Sequence, residues 1–263
     1  MSKTSNPRCR LVGDIHGNTD YYKKIISKSP FSLQVGDFFS YNSGVDSERH
    51  KFIGGNHEDY RMKLREDLTS TDVTGDSNYT LACDGGPFGF VERYESYELN
   101  HDDPKVYEFN NLGPQSLGSY GIWDINDSFN DSIFYVRGAW SVDGSYRRTT
   151  DLNSWFPREQ ISEYEGRKVL ELYEKEKPAV VVTHDCPYII LDDIYLPFSA
   201  GPKNTSTGRL FDIMLQIWRP RLWVFGHHHQ RLNTNYKNTN FICLNKAPND
   251  GNYIDLNKNL EII

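Results

Sequence analysis

The chain predicts an α/β fold, and three observations carry that expectation. Short apolar stretches of strand character alternate with helical ones along most of its length. Each strand candidate in the first third stops at a Gly followed by polar residues, as strands do when they end in functional loops. The 263 residues, 37% hydrophobic and 25% charged, are enough to bury the core of one large α/β domain or two small ones.

Taken in order, residues 9–13 read as a strand running into Asp14-Ile15-His16-Gly17-Asn18. A helix over about 19–28 follows, ended by Ser29-Pro30. Residues 31–36 and 51–54 read as two further apolar strands. From about 60 to 130 the composition shifts to Asn, Asp, Gly and Tyr, with weak apolar periodicity. That stretch is too long for a simple connection and is expected to be an insertion, or cap, on a single domain spanning 1–263. Within it, Tyr79, Phe88, Phe90 and Tyr94 either pack the cap or line a pocket. Regularity returns with a strand at 132–136 and a charged helix at about 158–176, opened by Pro157 and closed before Pro178. Residues 179–183 read as a strand, 209–218 as an amphipathic helix, and 222–225 and 240–244 as strands.

The net charge of −7 and a pI near 5.6 argue against a dedicated binder of long nucleic acids, because phosphate backbones attract basic surfaces. A metal cluster still creates a local positive site inside an acidic protein. Seventeen Tyr and an aromatic share of 14% point to many amphipathic contacts. Cys9, Cys83, Cys186 and Cys243 form neither a CxxC motif nor a disulfide scaffold. The N-terminal residues carry no apolar signal-peptide core, and no apolar run reaches membrane-span length. A cytoplasmic protein with no membrane partner is expected; oligomeric state is not legible.

Five segments at strand ends carry donor atoms: Asp14-x-His16, Gly36-Asp37, Gly55-Asn56-His57-Glu58, Thr183-His184-Asp185 and Gly226-His227-His228-His229. Singly, a His at a strand end is more often structural than a ligand, and a D-x-H pair is close to even. Together, carboxylate, imidazole and amide donors suit Mn²⁺, Fe or Zn²⁺. Residues i and i+2 leaving a strand can point into one space, and a Gly beside each ligand admits close backbone approach.

In this order the five segments resemble the signature of the calcineurin-like metallophosphoesterases, over residues 14 to 229. The resemblance implies a four-layer αββα sandwich, two mixed β-sheets flanked by helices, with the active site at strand C-terminal ends. It implies two divalent ions, Mn²⁺ foremost. Asp14, His16 and His229 would hold one, Asn56, His184 and His227 the other, with Asp37 shared. The ions would activate a hydroxide to attack phosphorus and clamp the phosphoryl oxygens. His57 matches the family's general acid. His228, between two ligands, is expected to point away as a surface or packing residue.

The wording is similar to the protein-phosphatase branch, with two departures. Ser40 stands where that branch has an Asp that orients the catalytic histidine, and Gly55 where it has a phosphate-gripping Arg. Arg61, Arg137 or the pair Arg147-Arg148 could replace that cation, and Arg137, ending a strand at the same edge, is the expected substrate contact. The segment from Tyr135 to Asp143 resembles bacterial and phage members of the family. The leading expectation is a phosphomonoesterase acting on a phosphorylated small molecule or phosphoprotein. The alternatives are a phosphodiesterase acting on cyclic nucleotides or nucleic-acid ends, and a catalytically inactive scaffold of the same fold.

Overall fold

Eleven strands and four helices make up the described residues of the computed structural model, which are 8–40, 43–58, 115–144, 159–191 and 205–263. The strands are β1 (Cys9–Val12), β2 (Phe31–Gln34), β3 (His50–Phe52), β4 (Gln115–Ser116), β5 (Tyr120–Trp123), β6 (Ile133–Val136), β7 (Val180–Thr183), β8 (Leu222–Phe225), β9 (Leu232–Tyr236), β10 (Thr239–Cys243) and β11 (Tyr253–Leu256). The helices are α1 (Thr19–Ile26), α2 (Glu163–Glu176), α3 (Tyr188–Leu191) and α4 (Ser206–Ile217). They form a five-stranded sheet ordered β11-β1-β2-β3-β4 and a six-stranded sheet ordered β5-β6-β7-β8-β10-β9. Both sheets are mixed: β1 to β4 run parallel with β11 antiparallel, and β6, β7, β8 and β10 run parallel between antiparallel β5 and β9.

The two-residue side-chain period of a strand sorts each strand's residues between two layers. Leu11, Leu33 and Ile53 from one sheet meet Val180, Val182, Leu222, Val224 and Ile242 from the other in a single core cluster. The intervening residues Val181, Trp223, Phe225 and Phe241 face outward and pack with Val169 and Tyr173 of α2 and Leu210, Phe211 and Met214 of α4. On the far side, Val12 and Phe52 pack with Tyr22, Ile25 and Ile26 of α1. The result is the expected four-layer αββα arrangement. Each strand buried on both faces accordingly reads as a continuous apolar run, Val-Val-Val in β7 and Leu-Trp-Val-Phe in β8.

The structure moves two sequence boundaries. Helix α2 begins at Glu163, not near Pro157, because Ser162 and Glu165 close a capping box. Residues 115–130 were expected inside the insertion. Instead β4 pairs with β3, and β5 pairs with β6, so this stretch supplies an edge strand to each sheet. The rest of the expected cap, including Tyr79, Phe88, Phe90 and Tyr94, lies outside the described residues, as do Arg61, Arg147 and Arg148. Among the described residues no helix is long and apolar enough to cross a membrane.

Candidate metal centre

The C-terminal ends of β1, β2, β3, β7 and β8 all feed one edge of the sandwich, and backbone hydrogen bonds sew their loops together. Ile15 N–H and His16 N–H both donate to the Asp37 carbonyl, at 3.2 and 2.8 Å. Gly226 N–H donates to the His184 carbonyl at 3.0 Å. The β1 loop runs directly into α1, whose N-cap Asn18 accepts from Tyr21 N–H. His16, Asp37, His227 and His229 all adopt left-handed backbone, φ 45°, 54°, 63° and 53°. Such conformations cost about 1–2 kcal/mol each in non-Gly residues and concentrate at functional sites.

Four of the predicted ligands converge: Asp14, His16, Asp37 and His229 each offer a donor atom within 4.8 Å of the others. His16 Nε2 lies 2.9 Å from His229 Nε2, and His229 Nε2 lies 3.1 Å from Asp14 Oδ2. His16 Nε2 is 3.9 Å from both Asp14 Oδ2 and Asp37 Oδ2. The remaining predicted ligands gather on the other side of Asp37. His184 Nε2 is 3.0 Å from Asn56 Oδ1 and 3.5 Å from Asp37 Oδ1, and the ring centroids of His184 and His227 are 5.1 Å apart. Asp37 therefore presents one carboxylate oxygen to each group.

Supporting contacts fix these side chains. His184 Nδ1 is 2.9 Å from the Val35 carbonyl, which directs Nε2 at the site. Asn56 Nδ2 donates to Ser141 Oγ at 2.9 Å, and that hydroxyl donates to Glu159 at 2.7 Å. Glu58 accepts from Phe38 N–H at 2.6 Å and Gly55 N–H at 3.1 Å, binding the β2 loop to the β3 loop. Sequence reasoning missed all three of Glu58, Ser141 and Glu159. Glu58 was signalled by its place after Gly-Asn-His; the other two had no local signal. Two glycines are obligatory here. A Cβ at Gly55 would sit 2.2 Å from Asp37 Oδ1 and 2.8 Å from His184 Nε2, and one at Gly36 (φ 119°) 2.2 Å from His184 Nδ1. The Gly where the protein-phosphatase branch has Arg thus has a steric cause.

Burial pushes the His16 imidazole down to about 4, and it lowers His184 and His227 as well. At Asp14 burial opposes ionisation, but contact with His229 and the imidazoles of His184 and His16 outweighs it and holds the carboxyl at about 2. Neutral imidazoles around ionised carboxylates are the protonation states that metal coordination requires. Asp14 Oδ2 is buried and makes no well-formed hydrogen bond, with His229 Nε2 standing 3.1 Å away, which is costly for an anion unless a cation serves it. The donor set and this orphaned oxygen fit divalent ions.

His57, the predicted acid, lies with Nε2 3.9 Å from Asp37 Oδ2, its side chain 22% exposed, and its N–H donates to Asp37 Oδ1 at 2.9 Å. Phe39 places an exposed ring 6.4 Å from the His57 ring. Ser40 accepts from Thr19 Oγ1 at 2.9 Å, tying the β2 loop to α1. Arg137, the expected substrate contact, is ion-paired at the end of β6. Its guanidinium is buried, with Nη2 3.2 Å from Glu165 and Nε donating to Ser119 at 2.9 Å, so it anchors the start of α2. The charge that a buried Arg requires is answered there by Glu165. Of the two alternatives for His228, surface or packing, the contacts with Asp185 and Cys186 fit the second.

Residues 8–231 match the family model described as calcineurin-like phosphoesterase. The chain belongs to that family and is a metal-dependent phosphoester hydrolase. Similar solved structures include the phosphopantetheinyl hydrolase from Mycobacterium tuberculosis, 15% identical over 94% of this chain and 95% of that one, with a TM-score of 0.45. Another is GAP50, the anchor in the inner membrane complex of Plasmodium, 10% identical over 96% and 81% of the two chains, with a TM-score of 0.42. At these values neither speaks to substrate. Comparison with curated protein sequences finds no match.

Proposed function

We propose that the protein is a phosphomonoesterase with a dinuclear centre, Mn²⁺ being the preferred ion. Asp14, His16 and His229 would hold one ion, Asn56, His184 and His227 the second, and Asp37 would serve both. What supports this reading above all is the carboxylate of Asp37, with Oδ2 3.9 Å from His16 Nε2 and Oδ1 3.5 Å from His184 Nε2. When bound, such a pair of ions lowers the pKa of a water and neutralises phosphoryl charge.

The chain's own residues do the rest. His57 stands at the rim, its side chain 22% exposed, and gives its proton to the leaving oxygen. Glu58 holds the loops of Asp37 and His57 in one register through the Phe38 and Gly55 amides. The substrate is a phosphorylated small molecule or phosphoprotein, approaching from the side of His16 and His229, whose side chains are 31% and 35% exposed. Cys9, Cys186 and Cys243 are free and buried, in keeping with a cytoplasmic setting.

Parallel assays with p-nitrophenyl phosphate and bis-p-nitrophenyl phosphate, both with Mn²⁺, test the reading. Faster turnover of the monoester is expected. A strong preference for the bis-ester would make the protein a phosphodiesterase, and no turnover of either with both ions bound would make it a scaffold.

A further inference from the structure

We propose that Asp185 and His228 form a clamp that positions the histidine ligands of the two loops carrying them, an inference that rests on the metal assignment proposed above. Neither side chain belongs to the ligand set. Asp185 directly follows His184 at the end of β7, and His228 sits between His227 and His229 after β8. His228 Nε2 lies 3.1 Å from Asp185 Oδ1, with the two side chains 8% and 9% exposed. With its proton on Nε2, the imidazole donates to the carboxylate and bridges the two loops.

The local backbone explains why a bridge is needed. His227 and His229 both hold left-handed φ, and a Phe or His in that region relaxes unless its neighbours over-determine it. His228 N–H donates to the Gly226 carbonyl at 2.7 Å, closing the turn. Its ring also stands edge-on to His227, centroids 4.9 Å apart, and to Phe225 at 5.9 Å. Asp185 is fixed in turn, because Cys186 N–H donates to its Oδ1 at 2.7 Å. The chain of contacts leads from the buried end of β7, through Asp185 and His228, to a ligand on each side of the bend. A merely packed histidine would need none of these hydrogen bonds.

Asp185, Cys186 and His228 are also close enough together to hold a metal of their own. Asp185 Oδ1, however, already accepts two N–H donors, and Cys186 Sγ lies 3.5 Å from the same His228 nitrogen. The clamp accounts for those contacts without an ion.

The test is Mn²⁺ binding by calorimetry, alongside thermal unfolding of the metal-free proteins, for the wild type, Asp185→Ala, His228→Leu, the double variant and His228→Gln. Residues that orient metal ligands change affinity by about 10- to 100-fold when removed. The clamp predicts that loss in Asp185→Ala and in His228→Leu, with no further loss in the double variant, since each removes the same bond. His228→Gln, which keeps an N–H near the Nε2 position, is predicted to retain affinity within a few-fold of wild type by the same logic. Unchanged affinity in His228→Leu, additive losses, or equal losses in Leu and Gln variants would overturn the clamp. So would a third equivalent of metal in the wild type that Cys186→Ser removes. A wild type that binds no Mn²⁺ would overturn the metal assignment itself, a result distinct from all of these.

Discussion

The two halves of the centre meet solvent very differently. His16 and His229 are about one-third exposed on their side chains, whereas His184 is wholly buried and Asn56 nearly so. The closed half is also the more heavily supported. Val35 aims His184, the Ser141–Glu159 pair holds Asn56, and Gly36 and Gly55 leave the room that lets both approach Asp37. In the open half Asp14 accepts from His227 N–H at 3.1 Å, and His16 and His229 reach it from left-handed turns. The contrast teaches that one site of such a pair can be built as structure while the other remains available to substrate and exchange.

The sharpest way to break the contrast is to remove what the halves share. Asp37→Asn is predicted to lower kcat/KM on the order of a thousandfold or more and to weaken both ions, as measured by turnover and metal content. Striking the closed half alone comes next. Gly55→Ala forces a Cβ to within 2.4 Å of Asp37 N and 2.8 Å of His184 Nε2; about a hundredfold loss is expected, with one ion retained by the open half. His57→Ala is predicted to keep both ions and to slow turnover by about a hundredfold on substrates with poor leaving groups, and far less on p-nitrophenyl phosphate. Loss of metal in that variant would remove His57 from its role. Ser141→Ala takes one hydrogen bond from Asn56 and leaves Glu159 short of a donor. About a tenfold weaker closed site is expected by calorimetry, with about 1–3 kcal/mol lower stability in denaturant.

Acid gives the smallest and most general effect. Burial holds His16 and His50 down at about 4 and lowers His184 and His227, while an unfolded imidazole takes its proton near 6.5. Between those values the unfolded chain binds more protons than the folded one, so stability falls as pH drops. The metal-free protein should therefore show full thermal stability above about pH 6.5 and lose it progressively toward pH 4. A flat melting temperature over that window would contradict the burial of these rings.

What the sequence revealed of this site is the part written at strand ends. Asp14, His16, Asp37, Asn56, His184, His227 and His229 could be named because their segments follow short apolar runs and, in order, resemble the family's signature; the sheets bring these residues to one edge. Ser141, Glu159 and Asp185 could not, since their roles depend on which loops the two sheets bring together. For the same reason the strand end of Arg137 was legible, but Glu165, 28 residues on, was not visible as its partner. In the fold, β7 and β8 were legible as apolar runs buried on both faces, and β1 and β2 by the Gly and polar residues that follow them. The edge strands were not. β4 is two residues long, β9 reads Leu-Asn-Thr-Asn-Tyr, and β5 carries Gly121, so pairing and not pattern makes them strands.

The measurement that bears most directly on two ions joined by Asp37 is a Mn²⁺ titration of the metal-free enzyme, with bound metal and turnover followed together. Two equivalents per chain are predicted, the second to bind being the one more readily exchanged, with activity appearing only as the second site fills. Full activity at one equivalent, or a single site unaffected by Asp37→Asn, would contradict the account.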